Sequence, residues 1–233
     1  MGNHLWGLAE LIVHLFEFQV LPGHEAEVAG SLAQTGPARR PSSGDLMHCA
    51  GSRLSRHQQE HIAVTCWPDH ETFVGGTDRL GVPSYLSAKA SLLTARRSMA
   101  FTVVSSIGAT SDGARILRVY TAQVAAASLE EWGRREAEQL VELERMKGMV
   151  CARAGVGLGV ADADGELPIV AISAWRDWEA VLAATGGHID RLILTTELDD
   201  LERPGGLVHY DLIEFDERGS GEDHRAEDSG PAT

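Results

Sequence analysis

The chain has 233 residues, 43% of them hydrophobic, and a formal charge of −14 at neutral pH. That length and apolar content can bury one large core or two small ones, while the charge repels phosphate backbones and anionic lipid, which excludes nucleic acid and membrane surfaces as partners. Cys49, Cys66 and Cys151 form no CxxC pair and leave an odd count, the usage of a reducing cytoplasm; the first 18 residues lack a basic flank and are interrupted by His14 and Glu17, which argues against a signal peptide or a membrane span.

Leu11 to Val20 (LIVHLFEFQV) is aliphatic and aromatic and is closed by the turn pair Pro22-Gly23, which predicts a strand; a helix follows to about Leu32. Leu46 to Leu54 and His61 to Trp67 predict two strands joined by a polar hairpin over Ser55 to Glu60, with Asp69 as the N-cap of the next helix. Ser84 to Arg97 reads as helical and Ala100 to Ser105 as a fourth strand. The second half repeats this order, with a strand over Ala114 to Val124 and then a helix opening SLEE, where Ser128 and Glu131 have capping-box spacing. Leu129, Trp132, Leu140 and Leu143 share one face of that helix, leaving Arg134, Arg135, Glu138 and Glu142 for water. Strands follow over Met149 to Val156 and Ile169 to Trp175, joined through Asp164-Gly165; a short helix starts at Asp177, and the last strand is Val208 to Phe215. The tail from Glu217 is too polar to pack and reads as disordered.

The repetition is visible in the residues themselves. Gly44 to Leu54 (GDLMHCAGSRL) returns 104 positions later as Gly148 to Leu158 (GMVCARAGVGL), and Gln19-Val20 returns at the same offset as Gln123-Val124. Trp67-Pro68-Asp69-His70-Glu71 returns at an offset of 108 as Trp175-Arg176-Asp177-Trp178-Glu179. Solenoid repeats run to roughly 50 residues, so this period denotes a duplicated domain, with units at residues 10–108 and 114–216 and a tail at 217–233. Each unit reads β-α-β-β-α-β, an α+β ferredoxin-like order whose helices cover one face of a four-stranded sheet. LIVHLFEF, AFTVV and IVAISAW are apolar at odd and even positions alike, so the other face needs cover too. Two fused units supply it by packing their open faces together as an intramolecular dimeric α/β barrel, with the helices outside.

Trp67-Pro-Asp-His-Glu-Thr-Phe73 and Trp175-Arg-Asp-Trp-Glu-Ala-Val181 each place a strand-ending Trp before an acidic residue and a hydrophobic helix. On these segments and the strands before them, the chain resembles the antibiotic biosynthesis monooxygenase domains of the dimeric α/β-barrel superfamily, in tandem over residues 10–216. In length and duplication it is also similar to the fused oxygenases that cleave a ring carbon–carbon bond in angucycline biosynthesis. The resemblance implies an oxygenase acting on an anthrone, phenol or hydroquinone of an aromatic polyketide in antibiotic or secondary-metabolite biosynthesis, with the aromatic substrate and O2 as partners. It implies no tightly bound cofactor. Reduced flavin (FADH2 or FMNH2) from a flavin reductase would be a diffusible co-substrate, because the chain has no flavin or nicotinamide fingerprint. Pairing of the fused barrel as a homodimer stays open. The Asn, Trp and His of haem-degrading relatives would fall near Glu17, Gly76 and Tyr85, and none matches. A non-catalytic ligand-binding or stress-related protein of the same fold is the alternative reading.

The histidines are unevenly spread. His4, His14, His24, His48, His57, His61 and His70 lie in the first unit and its lead, against His188, His209 and His224 later; at aligned positions His48 gives way to Ala152, His61 to Ile169 and His70 to Trp178. This predicts a working site between the sheet and helices of the first unit. His61, His48 and Trp67 are the expected catalytic set, since a neutral imidazole beside an indole can take a phenolic proton. His70, Glu17, Gln19 and Trp175 are the expected substrate contacts. The competing reading makes each Trp a core residue and each strand His a satisfied one, and a site in the second unit would rest instead on Arg153, Trp178 and His209. No metal is expected, because His14, His48 and His61 have no HxH or HxxxH spacing. The glycine run Gly155 to Gly159 lies in a hairpin strand, not between a strand and a helix, so it is no phosphate loop.

Overall fold

Strands that are apolar on both faces need two partners, and the molecule supplies them by closing into one antiparallel barrel. The structure is a computed structural model that describes residues 11–34, 47–55, 58–159, 161–191 and 201–213. The first unit contributes β1 (Ile12–Val20), α1 (Glu25–Gln34), β2 (Met47–Ser55), β3 (Gln58–Trp67), α2 (His70–Gly76), a 3-10 helix (Ser84–Leu92) and β4 (Leu93–Ile107). The second contributes β5 (Ile116–Ala125), α3 (Leu129–Glu144), β6 (Met149–Gly157), β7 (Glu166–Trp175), α4 (Trp178–Ala184) and β8 (Glu202–Leu212).

Around the barrel the order is β1-β3-β2-β8-β5-β7-β6-β4, so each unit keeps the ferredoxin-like order and the seams are β2–β8 and β4–β6. Closure leaves no free sheet edge. Strand alternation then sorts the side chains. Val13, Leu15, Cys49, Ile62, Val64, Cys66, Phe101, Leu117, Cys151, Ile172 and Tyr210, drawn from every strand, fill the interior. Phe16, Phe18, Ala50 and Ala63 point the other way, onto Val28 and Leu32 of α1 and Leu86 of the 3-10 helix. In the second unit Tyr120, Ala152 and Ile169 meet Trp132 and Leu140 of α3.

The helix expected over Ser84 to Arg97 ends at Leu92 as a 3-10 helix, and β4 starts there instead of at Ala100. Leu93 to Arg97 pair with β1 from Val20 back to Glu17, and satisfying the backbone of that strand outweighs the helical bias of the segment. The register slips between Glu17 and Gln19, and Ala95 takes φ +44 at the resulting bulge. Asp69 and Asp177 cap their helices as expected, accepting from Thr72 N at 2.7 Å and Ala180 N at 2.8 Å. The expected capping box does not form: Ser128 makes no side-chain cap, and Glu131 pairs with Arg134 and Arg135 instead. β8 begins at Glu202, earlier than Val208. The tail at 217–233 lies outside the described residues.

Candidate functional site

Register builds a polar row across the helix-facing side of the first sheet. His14 on β1 and His48 on β2 both pair with Thr65 on β3, so three neighbouring strands carry His14, Thr65 and His48 at one level. All three are buried. Thr65 Oγ1 lies 3.3 Å from His48 Nδ1 and 3.3 Å from the hydroxyl of Tyr85, whose ring meets the His48 ring edge-on at 4.6 Å. His14 Nε2 lies 2.9 Å from Ser98 Oγ on β4, and Phe73 of α2 meets the imidazole edge-on with ring centroids 5.2 Å apart. Two residues along β3 from Thr65, Trp67 is buried under α2. Among the described residues neither His14 Nδ1 nor Trp67 Nε1 has a hydrogen-bond partner. Buried polar atoms are normally paired, so two in one apolar layer mark it as built for something polar.

Two glycines let the roof come this close. A Cβ on Gly76 would stand 2.1 Å from the Trp67 ring, and one on Gly81, held at φ +72, would stand 2.0 Å from Ser98 Oγ. Gly76→Ala therefore forces α2 off the indole and costs about 1–3 kcal/mol by overpacking, partly offset by the better helix propensity of Ala. Thermal unfolding should show a Tm several degrees lower. An unchanged Tm would mean that the contact between α2 and Trp67 is not tight.

Burial holds the His14 imidazole down at about 4, and lowers His61 as well, against an opposing pull from Glu25. His14 is therefore neutral at pH 7. In the tautomer where Nε2–H donates to Ser98, Nδ1 is left as a proton acceptor, which is what base chemistry needs.

The residues singled out from sequence do not all meet. His48 and Trp67 belong to the layer just described. His61 shares their side of the sheet and stacks on Phe18 at 5.3 Å, but six residues of strand separate it from Trp67, roughly 20 Å at 3.3 Å per residue. Those two cannot grip one small ring system together. His70 is exposed in the first turn of α2. Glu17 points to the opposite side of the sheet, where it accepts the Tyr210 hydroxyl at 3.0 Å, and Gln19 lies beside it at the barrel mouth. Trp175 is buried in the second unit with its indole N–H donated to Ser173 at 2.8 Å. His14, Tyr85 and Ser98 complete the layer and were not among the expected contacts; the alternation of His14 with Phe16 and Phe18 was the signal in the sequence.

The second unit closes its equivalent layer internally. Arg118, aligned with His14, donates to His209 Nε2 at 2.9 Å and to the Arg191 carbonyl at 2.8 Å, and Trp178 donates to Asp211 at 3.2 Å. On the interior side of β6, with Cys151, Arg153 donates to the carbonyls of Ile107, Ala152 and Ala109. Among the described residues no group of three or more His, Cys, Asp or Glu side chains is gathered to hold a metal. Glu17 and the pair Gly76 and Tyr85 lie on opposite sides of the sheet, so the positions used by haem-degrading relatives do not converge on a haem here.

Neither a family model nor a curated protein matches the chain. Solved structures do. A candidate monooxygenase from Fusobacterium nucleatum subsp. nucleatum superposes with a TM-score of 0.61 at 12% identity, covering 89% of this chain and 93% of that one. An anthrone oxidase-like protein gives 0.51 at 13% identity over 88% and 92%, and a chlorite dismutase variant from Candidatus Nitrospira defluvii gives 0.54 at 11% over 91% and 95%. The chain thus has the dimeric α/β-barrel fold shared by proteins related to antibiotic biosynthesis monooxygenases and by chlorite dismutases, with both ferredoxin-like units in one polypeptide. No helix among the described residues is long and apolar enough to cross a membrane.

Proposed function

We propose that this chain is an oxygenase that holds a planar aromatic substrate, an anthrone, phenol or hydroquinone, between the sheet and helices of its first unit. The observation that carries the reading is the polar row His14–Thr65–His48 beneath Tyr85 and Phe73, with His14 Nδ1 and Trp67 Nε1 unpartnered among the described residues. The anthrone oxidase-like and monooxygenase neighbours support it at the level of fold.

In this reading His14 Nδ1 takes the substrate proton, and His48, Tyr85 and Trp67 hold the substrate oxygens. The resulting anion gives one electron to O2, and the radical pair recombines to form a carbon–oxygen bond. The hydroperoxide then loses water, so an anthrone CH2 and O2 become a quinone C=O and H2O. Proton transfer from a phenol of pKa about 10 to an imidazole near 4 costs about 8 kcal/mol. That fits inside the roughly 17 kcal/mol barrier of a turnover near 1 per second, and the imidazolium and substrate anion, created side by side in a dry layer, attract each other and lower it further. Carbon–carbon cleavage, as in secondary-metabolite ring opening, would be a later fate of the same hydroperoxide. No tightly bound cofactor enters this scheme; a diffusible reduced flavin would serve to reduce a quinone back to the reactive hydroquinone.

The test is oxygen uptake with anthrone against a protein-free control. The reading predicts chelator-resistant uptake of one O2 per quinone formed. Saturable anthrone binding with no uptake above the control would establish the ligand-binding alternative in its place.

A further inference from the structure

A cavity of about 290 Å3 opens at the barrel mouth, on the interior side of the first unit's sheet. Its lining carries two carboxylates, Glu17 and Glu60, and two guanidiniums, Arg53 and Arg97, with Tyr210 as its aromatic wall; Phe18 and His61 border it from strands whose alternation turns their rings to the helix side. Arg53 pairs with Glu60 and lies over the Tyr210 ring at 5.5 Å. Glu17 accepts the Tyr210 hydroxyl through Oε1, while its Oε2 stands 3.6 Å from Arg97, beyond the 2.7–2.9 Å of a tight charge-assisted bond. Arg53 Nε has no hydrogen-bond partner among the described residues.

The duplication provides an internal control. At the aligned positions of the other half, Glu17 corresponds to Thr121, Arg53 to Gly157, Glu60 to Pro168, Arg97 to Gly206 and Tyr210 to Phe101. Barrel closure alone does not require charges at these places, since the other half closes without them. They are therefore specific to the cavity.

We infer that the barrel mouth binds an amino-acid-sized aromatic zwitterion, with its carboxylate on Arg97, its ammonium on Glu17 and its ring against Tyr210 and the Arg53 guanidinium. The volume lies at the small end of ligand pockets, below what a tetracyclic polyketide needs. The lining has no net charge, and with Arg53 paired to Glu60 it leaves Glu17 and Arg97 side by side without a tight bond, which matches the adjacent charges of an α-amino acid. A molecule without net charge is also not repelled by a protein of charge −14. The site is distinct from the sheet–helix layer, so it stands or falls independently of the oxygenase reading.

Calorimetric titration with L-phenylalanine, hydrocinnamate and phenethylamine tests it, because the last two each keep one charge and lose the other. L-phenylalanine should bind at least about tenfold tighter than either. Arg97→Gln, at an exposed side chain, and Glu17→Gln, whose amide oxygen can still accept from Tyr210, should each weaken it by about tenfold or more. The proposal is overturned if L-phenylalanine shows no saturable binding, if a single-charge analogue binds as tightly, or if either variant keeps full affinity.

Discussion

Glu136→Gln should make the protein more stable above pH 7 and leave it unchanged near pH 4.5. Glu136 sits on α3 between Trp132 and Leu140 at helical spacing, 5% exposed, and burial first, then the nearby Glu202 carboxylate, pushes its own carboxyl up to about 7. Glu202 is held by the Tyr120 hydroxyl and the Trp132 indole N–H, each at 2.8 Å. An acid whose folded pKa is raised gives its full stability below the unfolded value of 4.5 and loses it as pH rises through about 7. The loss is about 3 kcal/mol at 1.36 kcal/mol per unit. A neutral amide carries no such loss. Above pH 7 the variant should therefore melt about 6–12 °C higher than the parent. Melting curves at pH 8 and pH 4.5 check this, and an equal gain at both would refute the buried-acid explanation.

His14→Gln should lower the rate of anthrone oxidation about 10²-fold or more, while His61→Gln leaves it unchanged. Glutamine can keep a hydrogen bond to Ser98 but cannot accept the proton, and His61 lies too far along β3 to help. Because His14 is held at about 4, the rate corrected for autoxidation should show no histidine limb near pH 6.5 and should fall only as pH approaches 4. Stability follows the same group. A histidine whose folded pKa is depressed contributes stability that is complete above 6.5 and is lost as pH falls toward about 4, here about 3 kcal/mol. His14→Gln should remove that acid sensitivity together with the activity. A rate limb at pH 6–7, lost in His61→Gln, would move the base to the barrel-mouth end of the strand.

Much of the fold is legible because duplication states it twice. Matching Trp67 to Trp175 fixes the equivalence of the units, and doubly apolar strands such as LIVHLFEF demand cover on both faces, which leaves closure into one barrel. The start of β4 is not legible, because Leu93 to Arg97 owe their extended form to β1 and not to their own composition. Glu136 escapes for a related reason: its place on the Trp132–Leu140 stripe is visible, but what raises its pKa is burial under the packed fold and the carboxylate of Glu202, 66 residues away on β8. At the site, alternation places His48, His61 and Trp67 on one face, yet it carries no information about which of them share a level. Register supplies that. It brings His14 to Thr65 and His48 and sets His61 apart, while alternation along β1 puts Glu17 on the far side of the sheet.

The most direct measurement is a crystal structure of the protein soaked with anthrone in the absence of oxygen. The account predicts density for the ring system in the first unit, on the His14–Thr65–His48 row, with Phe73 and Tyr85 displaced from their direct contacts with His14 and His48 and an anthrone oxygen within hydrogen-bond distance of Trp67 Nε1 or His48. Anthrone bound instead in the second unit beside Trp178 and His209, or at the barrel mouth among Glu17, Arg53 and Tyr210, would contradict it.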